Sequence, residues 1–230
     1  WLGRREEIKN RIKSLIIEEL NIMEVTGRNL VVTDVILKYV MKTLQRDLEL
    51  LQKENVEFFE VLGREVRVSG EFEGQKLKGF IDRLDSFHPG QVRVVDYKTG
   101  KVLDDDEKIT DDNAEAIADK IFAEDIKERP KIALQFFIYD LLVQDHPLAK
   151  GRQIYNCVYS TARLFKEPPM NVPRNEKFFE AVSHRLGETL QEMYSLDVPF
   201  RRTKDEKVCE YCDFKVICGR TSKEERYGGI

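Results

Sequence analysis

The segment Gly79-Phe80-Ile81-Asp82-Arg83-Leu84-Asp85, followed after a short turn by Val94-Val95-Asp96-Tyr97-Lys98-Thr99-Gly100, decides how this chain folds and what chemistry it carries. If each half is a strand, side chains two residues apart share a face. Asp96 and Lys98 then point the same way, and Asp82 approaches them from the paired strand. Phe80 and Ile81 precede Asp82, and Val92, Val94 and Val95 precede Asp96, so both acids sit where apolar strands end. Unpaired charge is costly at such places. Two converging carboxylates suit a hard divalent cation such as Mg²⁺, and a lysine beside them can hold or deprotonate water and neutralise charge on a phosphate. This is equipment for metal-assisted phosphodiester hydrolysis. Solvated charge in an ordinary hairpin is the plainer alternative, but it does not explain why several residue types coincide at fixed spacing.

Working outward, residues 56–98 read as three strands joined by tight turns at Glu73-Gly74-Gln75 and His88-Pro89-Gly90. Upstream, Arg4 to Leu20 spaces Ile8, Ile12, Leu15 and Ile16 as a helix. Thr33 to Gln52 repeats the pattern with Val35, Ile36, Tyr39, Val40 and Leu44, and Thr33 or Asp34 is its expected cap. Downstream, the acidic stretch Asp104 to Asp112 reads as a solvated loop rather than a further metal site. A helical segment from Asn113 to Glu128 ends at Pro130, and another helix runs to about Gln144. Gln153 to Ser160 is a strand that adds to the same sheet. Asn175 to Leu196 is an amphipathic helix with Phe178, Phe179, Val182, Leu186, Leu190 and Met193 on its apolar face, and Thr221 to Ile230 reads as a frayed tail. The chain shows neither an internal repeat nor a low-complexity linker. The expected organisation is a helical segment over 1–55 packed on a core over 56–200, closed by a cysteine module and tail over 201–230.

At 230 residues the chain is long enough for one sizeable core, and 41% hydrophobic with 35% charged residues is ordinary for a soluble intracellular protein. It carries no secretory signal and no apolar run of membrane-spanning length, which points to the cytoplasm and away from a membrane. The net charge of −4 departs from the basic balance common among nucleic-acid binders, so any such footprint is local. Candidate phosphate contacts are Lys98, Lys101, Lys150, Arg152, Arg163, Arg201 and Arg202.

At the hairpin the sequence resembles the RecB/AddB-type nucleases of the PD-(D/E)XK superfamily, whose core reads Gly-x-Ile-Asp-Arg-x-Asp and then Asp-Tyr-Lys-Thr-Gly. Gly79 to Asp85 and Asp96 to Gly100 carry the match. The resemblance implies an α/β fold, a restriction endonuclease-like mixed central sheet flanked by helices, that cuts DNA with Mg²⁺ or Mn²⁺. It implies Asp82 and Asp96 as metal ligands, Lys98 as the catalytic lysine, and a ligand from the backbone carbonyl of Tyr97. An acidic residue precedes the first hairpin in that family. Glu65 is the best match for this further ligand, with Glu60 as competitor. The family's Gln-x-x-x-Tyr motif falls on Gln135 and Tyr139, whose spacing puts both polar groups on one helical face. Two incidental polar groups on a core helix are the alternative.

Three of the four cysteines crowd into Cys209-Glu210-Tyr211-Cys212-Asp213-Phe214-Lys215-Val216-Ile217-Cys218. That density favours thiolate metal coordination over disulfides. The triplet resembles the C-terminal cysteines of AddB-type nucleases, which join one upstream cysteine to hold a [4Fe–4S] cluster. Zinc is the runner-up, and reduced thiols without metal the plainest account. Cys157 lies on an apparent strand among aromatic and β-branched neighbours and reads as a buried free thiol.

The family usually carries a histidine on a helix well before the first hairpin. This chain has only His88, His146 and His184, which read as structural or solvated. It begins Trp1-Leu2-Gly3 without an initiator methionine, which reads as a fragment whose missing upstream part held the histidine and the fourth cysteine. The resemblance implies a DNA repair or recombination helicase–nuclease as parent. With no Walker sequence in the chain, ATP hydrolysis would belong to a helicase domain or subunit elsewhere. Two alternatives stand beside that reading: an inactivated nuclease fold that holds a DNA end or a partner subunit, and a structural module in which only the cysteines matter.

Overall fold

A computed structural model describes residues 2–100, 102, 107–123, 129–204 and 206–220. Two helices open the chain, α1 (Arg5–Leu20) and α2 (Arg28–Glu54). Ile12 and Ile16 of α1 pack with Val25 and Leu37, which explains the helical apolar spacing read from the sequence. The second helix starts earlier than its pattern predicts, because Gly27 precedes it and no side chain caps it. Thr33 is instead buried inside α2 and donates its hydroxyl to the Asn29 carbonyl at 2.8 Å. Asp34 is exposed and pairs with Lys9 at 2.7 Å.

Three strands follow, β1 (Glu60–Phe72), β2 (Gln75–Ser86) and β3 (Gln91–Lys98). Glu73 and Gly74 take positive φ of 49° and 74°, the left-handed pair that a two-residue hairpin turn demands, so Phe72 pairs with Gln75. After β3 the chain forms α3 (Ala114–Phe122) and α4 (Lys131–Val143), then β4 (Gln153–Ser160), the short β5 (Asn171–Pro173) and α5 (Glu176–Tyr194). The strands lie in the order β1-β2-β3-β4-β5, antiparallel except that β3 and β4 run parallel. A parallel pair needs a crossover, and α3 and α4 lie in it.

The chain divides into two compact units, Trp1–Lys108 with Ile138–Arg174, and Ile109–Phe137 with Asn175–Ile230. In the first, Val92 and Val94 of β3, Ile81 of β2 and Val68 of β1 pack against Tyr139, Leu142 and Val143 of α4. On the opposite face Val95, Cys157 and Tyr159 pack with Leu50 of α2. Consecutive β3 residues thus alternate between an α4 face and an α2 face. In the second unit Arg185 of α5 reaches Asp119 of α3 at 2.8 Å, and the Phe137 and Phe179 rings meet at 5.0 Å. Asn175 caps α5 by accepting from the Phe178 amide at 2.8 Å.

Three sequence expectations change. Glu107, within the stretch Asp104 to Asp112 read as a solvated loop, is buried and paired with Arg163 at 2.6 Å. The apolar stripe of α5 is buried only near its start, at Phe178, Ala181 and Val182, while Met193 is exposed. Helix α3 ends at Phe122, because Ala123 takes an extended conformation. The rest of the acidic stretch over 103–106, the proposed helical continuation over 124–128 and the tail over 221–230 lie outside the described residues. Among the described residues no helix is long and apolar enough to cross a membrane.

Candidate active site

The register of the first three strands sets the three sequence-selected acids in one row. Arg64 lies opposite Arg83 and Val66 opposite Ile81, so Glu65 falls opposite Asp82. Arg83 lies opposite Val95, so the next step sets Asp82 opposite Asp96. Neither of these two pairs belongs to the ladders, which skip Glu65 and stop at Val95. Glu65 takes a positive φ of 49°, a conformation that costs a non-glycine residue about 1–2 kcal/mol. The faces of β2 also exchange here: Ile81 and Leu84 both join the α4-side core, while Arg83 and Asp85 point toward α2. The Asp82 carboxylate itself accepts from the Tyr97 amide at 2.7 Å, in place of a strand carbonyl.

Asp96 is 4% exposed at the α4 face of β3. The Lys98 ammonium lies 3.1 Å from its Oδ1 and 2.9 Å from its Oδ2, and the Tyr139 hydroxyl donates to Oδ1 at 2.8 Å. An ammonium and a phenol on a buried carboxylate fix its orientation. On β4, Val158 lies opposite Asp96 and Ser160 opposite Lys98 in the parallel register.

A different charge cluster occupies the other face of the same strands. Arg83 grips Asp47 of α2 with two nitrogens at 3.1 and 3.2 Å, and its Nε lies 2.9 Å from Asp85. Arg93 grips Asp85 with two nitrogens at 2.7 and 2.8 Å and reaches Asn171 of β5 at 3.1 Å. Tyr159 donates its hydroxyl to Asp47. Burial works against both guanidinium charges, but Asp47 around Arg83 and Asp85 around Arg93 outweigh it and raise both pKa values. Two acids and two arginines close this network and tie α2, β2, β3 and β5 together.

The model of the PD-(D/E)XK nuclease superfamily matches residues 6–219 of the chain. The chain belongs to this superfamily. Its five-stranded mixed sheet with flanking helices is the restriction endonuclease-like arrangement expected of a PD-(D/E)XK protein. Comparison with curated proteins finds no match. Among solved structures, SSO0001 is similar at 14% identity over 94% of this chain and 83% of its own length, with a TM-score of 0.35. A candidate exonuclease from Eubacterium rectale is similar at 16% identity over 73% of this chain and 57% of its own length, with a TM-score of 0.36.

Within this PD-(D/E)XK chain the structure brings Asp96, Lys98 and Tyr139 into direct contact and ties Asp82 to the backbone between them. Glu65 is exposed on β1, as is its competitor Glu60. Gln135 lies half-buried on α4, one turn before Tyr139. Among the described residues no three histidine, cysteine or acidic side chains are gathered into a group that could hold a metal. The carboxylate oxygens of Asp82, half-buried within β2 rather than at its end, and of Asp96, buried near the end of β3, nonetheless fit a hard cation such as Mg²⁺ in donor chemistry.

Cys209, Cys212 and Cys218 are free and half-buried. Cys157 is buried and free as expected, and burial pushes its thiol up to about 12, so it stands apart as a core residue. His146 accepts from the Leu148 amide at 3.3 Å, and His184 lies exposed beside Glu188. His88 is half-buried rather than loose in its turn, with Nε2 3.2 Å from Glu54. Of the candidate phosphate contacts, Arg163 is committed to Glu107, and Lys101 lies outside the described residues. Sequence reasoning missed the arginine network altogether. Its only local sign was the pair Arg83 and Asp85 inside the motif, because Asp47 and Arg93 come from other elements.

Proposed function

We propose that this chain is a Mg²⁺-dependent deoxyribonuclease and serves as the nuclease part of a DNA repair or recombination helicase–nuclease. The observation that carries the reading is the buried Asp96 carboxylate, held between Lys98 and Tyr139 one strand away from Asp82. Asp82, Asp96 and the Tyr97 carbonyl are the groups that would hold the ion, with Glu65 as a further acid. Bound there, Mg²⁺ supplies charge that polarises the phosphodiester and acidifies a water molecule.

The chain's own residues supply the rest. Tyr139 fixes the Asp96 oxygens toward the end of β3, and the Tyr97 amide fixes Asp82 beside them. Lys98 is 32% exposed at its side chain, so its ammonium can face a phosphate while it stays against Asp96. There it stabilises the negative charge that develops on the phosphoryl oxygens as water attacks and the P–O bond breaks. Gln135, one helical turn before Tyr139, belongs to the substrate-facing set in this reading.

Cleavage of an end-labelled DNA strand in Mg²⁺ or Mn²⁺, beside the Lys98→Ala variant, tests the proposal. Metal-dependent products that fall at least about a hundredfold in the variant support it. Near-wild-type cleavage by Lys98→Ala contradicts the role of the lysine, and no cleavage by the wild type moves the chain to a DNA-holding scaffold.

A further inference from the structure

Resting on the nuclease reading, we infer that the cavity along the outer edge of β4 takes the nucleotide next to the scissile bond, with its phosphate held by the Ser160 hydroxyl and the cations beside it. β5 pairs only with Tyr155, Asn156 and Cys157, so among the described residues no strand covers that edge past Cys157. A cavity of about 620 Å³ lies there, lined by Val158, Tyr159 and Ser160 and by the turn that follows them. Ser160 is 3% exposed, and among the described residues its Oγ has no hydrogen-bond partner. A buried hydroxyl left unpaired destabilises the fold, so a ligand that pairs with it gains what the free chain lacks.

The charge of the lining fits an anion. Arg163 is fixed in the wall by Glu107 at 2.6 Å, with the Glu167 carboxylate 3.7 Å from its Nε. Lys108 and Lys166 bring the lining to three cations against those two acids, and Lys166 is exposed. A hydroxyl donor among cations in excess suits a phosphate, whose oxygens accept from both. Val158, Leu164 and Met170 add apolar wall for the sugar and base that the phosphate carries. The register says which phosphate it is. Ile154 joins the α4-side core and Asn156 donates to Asp140 of α4 at 2.8 Å, so strand alternation sets Ser160 on that same face. Lys98 lies directly opposite it on β3. Neighbouring strands are about 5 Å apart, on the order of one nucleotide step. A phosphodiester at Lys98 therefore puts its neighbour at Ser160.

The test titrates dTMP and thymidine into the whole chain in EDTA by calorimetry. The inference predicts that dTMP binds at least about tenfold more tightly than thymidine, since only dTMP carries the phosphate. Ser160→Ala and Lys166→Ala should each weaken dTMP by about threefold or more, whereas Lys98→Ala should change it by less than about twofold. Ser160→Ala should leave the urea midpoint in place or raise it, because it removes an unpaired buried hydroxyl. A lowered midpoint would make the hydroxyl structural and overturn its role. In cleavage of a DNA strand with Mg²⁺ or Mn²⁺, Ser160→Ala should raise KM about tenfold and keep kcat, the opposite of Lys98→Ala. Equal affinity for dTMP and thymidine, or a loss in Lys98→Ala alone, overturns the inference. Lost dTMP binding with an unmoved KM would assign the cavity to free mononucleotide and overturn its place beside the scissile bond. Metal-dependent cleavage without dTMP binding would sink the cavity alone; dTMP binding without such cleavage would sink the nuclease reading alone.

Discussion

Strands β2 and β3 carry two buried charge clusters on opposite faces, and the two are built differently. Toward α2, Asp47 and Asp85 are each gripped by a two-pronged guanidinium, so geometry as well as charge is satisfied. Toward α4, Asp96 has the Lys98 ammonium and the Tyr139 phenol among its partners, and Asp82 accepts from the Tyr97 amide. A carboxylate gripped by a planar guanidinium fork is held by two parallel hydrogen bonds, whereas an ammonium is a point charge that fixes geometry less strictly. The same motif residues therefore divide by face: Arg83 and Asp85 join the α2-side network, and Asp96 and Lys98 lie toward α4 with the residues to which the proposed function assigns the chemistry.

The sharpest way to break that division is to remove Asp85. Asp85→Ala leaves two buried guanidinium groups without their shared partner and should destabilise the fold by about 3–5 kcal/mol, read from urea denaturation. A loss below about 1 kcal/mol would mean the α2-side network is not structural. On the other face the effect should appear chiefly in turnover. Lys98→Ala should cost about 3–4 kcal/mol of transition-state stabilisation, with a smaller loss of stability in urea than Asp85→Ala because Lys98 is partly exposed. A variant that unfolds instead would place Lys98 in the scaffold.

Tyr139→Phe separates orientation from charge, because it deletes one hydrogen bond to a carboxylate and leaves the ring in the core. Turnover should fall about tenfold, with a stability change of roughly 1.5–3 kcal/mol. Unchanged kinetics would show that Lys98 alone orients Asp96. The smallest effect concerns Cys157, beside the arginine network. Burial raises its thiol to about 12, so the unfolded chain loses that proton first. The contribution is full below the ordinary thiol value near 9.0 and is lost as pH climbs toward 12. Relative to Cys157→Ala, the wild type should lose roughly 1 kcal/mol between pH 8 and pH 10 in denaturation titrations. Parallel pH profiles would show the thiol is not sheltered.

Much of this was legible in local pattern. The hairpin turn at Glu73 and Gly74, the apolar run before Asp96 and the helix α1 depend on neighbours in sequence and appear where the pattern puts them, whereas Phe80 is exposed and β2 continues past Asp82 to Ser86. The start of α2 was not, because no side chain caps it and Gly27 is a weak signal. Three-residue β5 is too short to show a period. The arginine network escaped because its partners are far apart in the chain: Asp47 meets Arg83 across 36 residues and Tyr159 across 112. The approach of Asp82 to Asp96 was readable from strand spacing and Glu65 only from the family resemblance, but the opening of the ladder at Asp82 was not readable, since it depends on the φ of Glu65 and on the exchange of faces in β2.

The most direct test of the division between the two faces is a calorimetric titration of Mn²⁺ into the chain, beside the Asp82→Ala/Asp96→Ala double variant and Asp47→Asn. Stoichiometric binding that disappears in the double variant and survives in Asp47→Asn is the predicted result. Binding that persists without Asp82 and Asp96 would contradict the assignment of the α4-side carboxylates as the metal-holding centre.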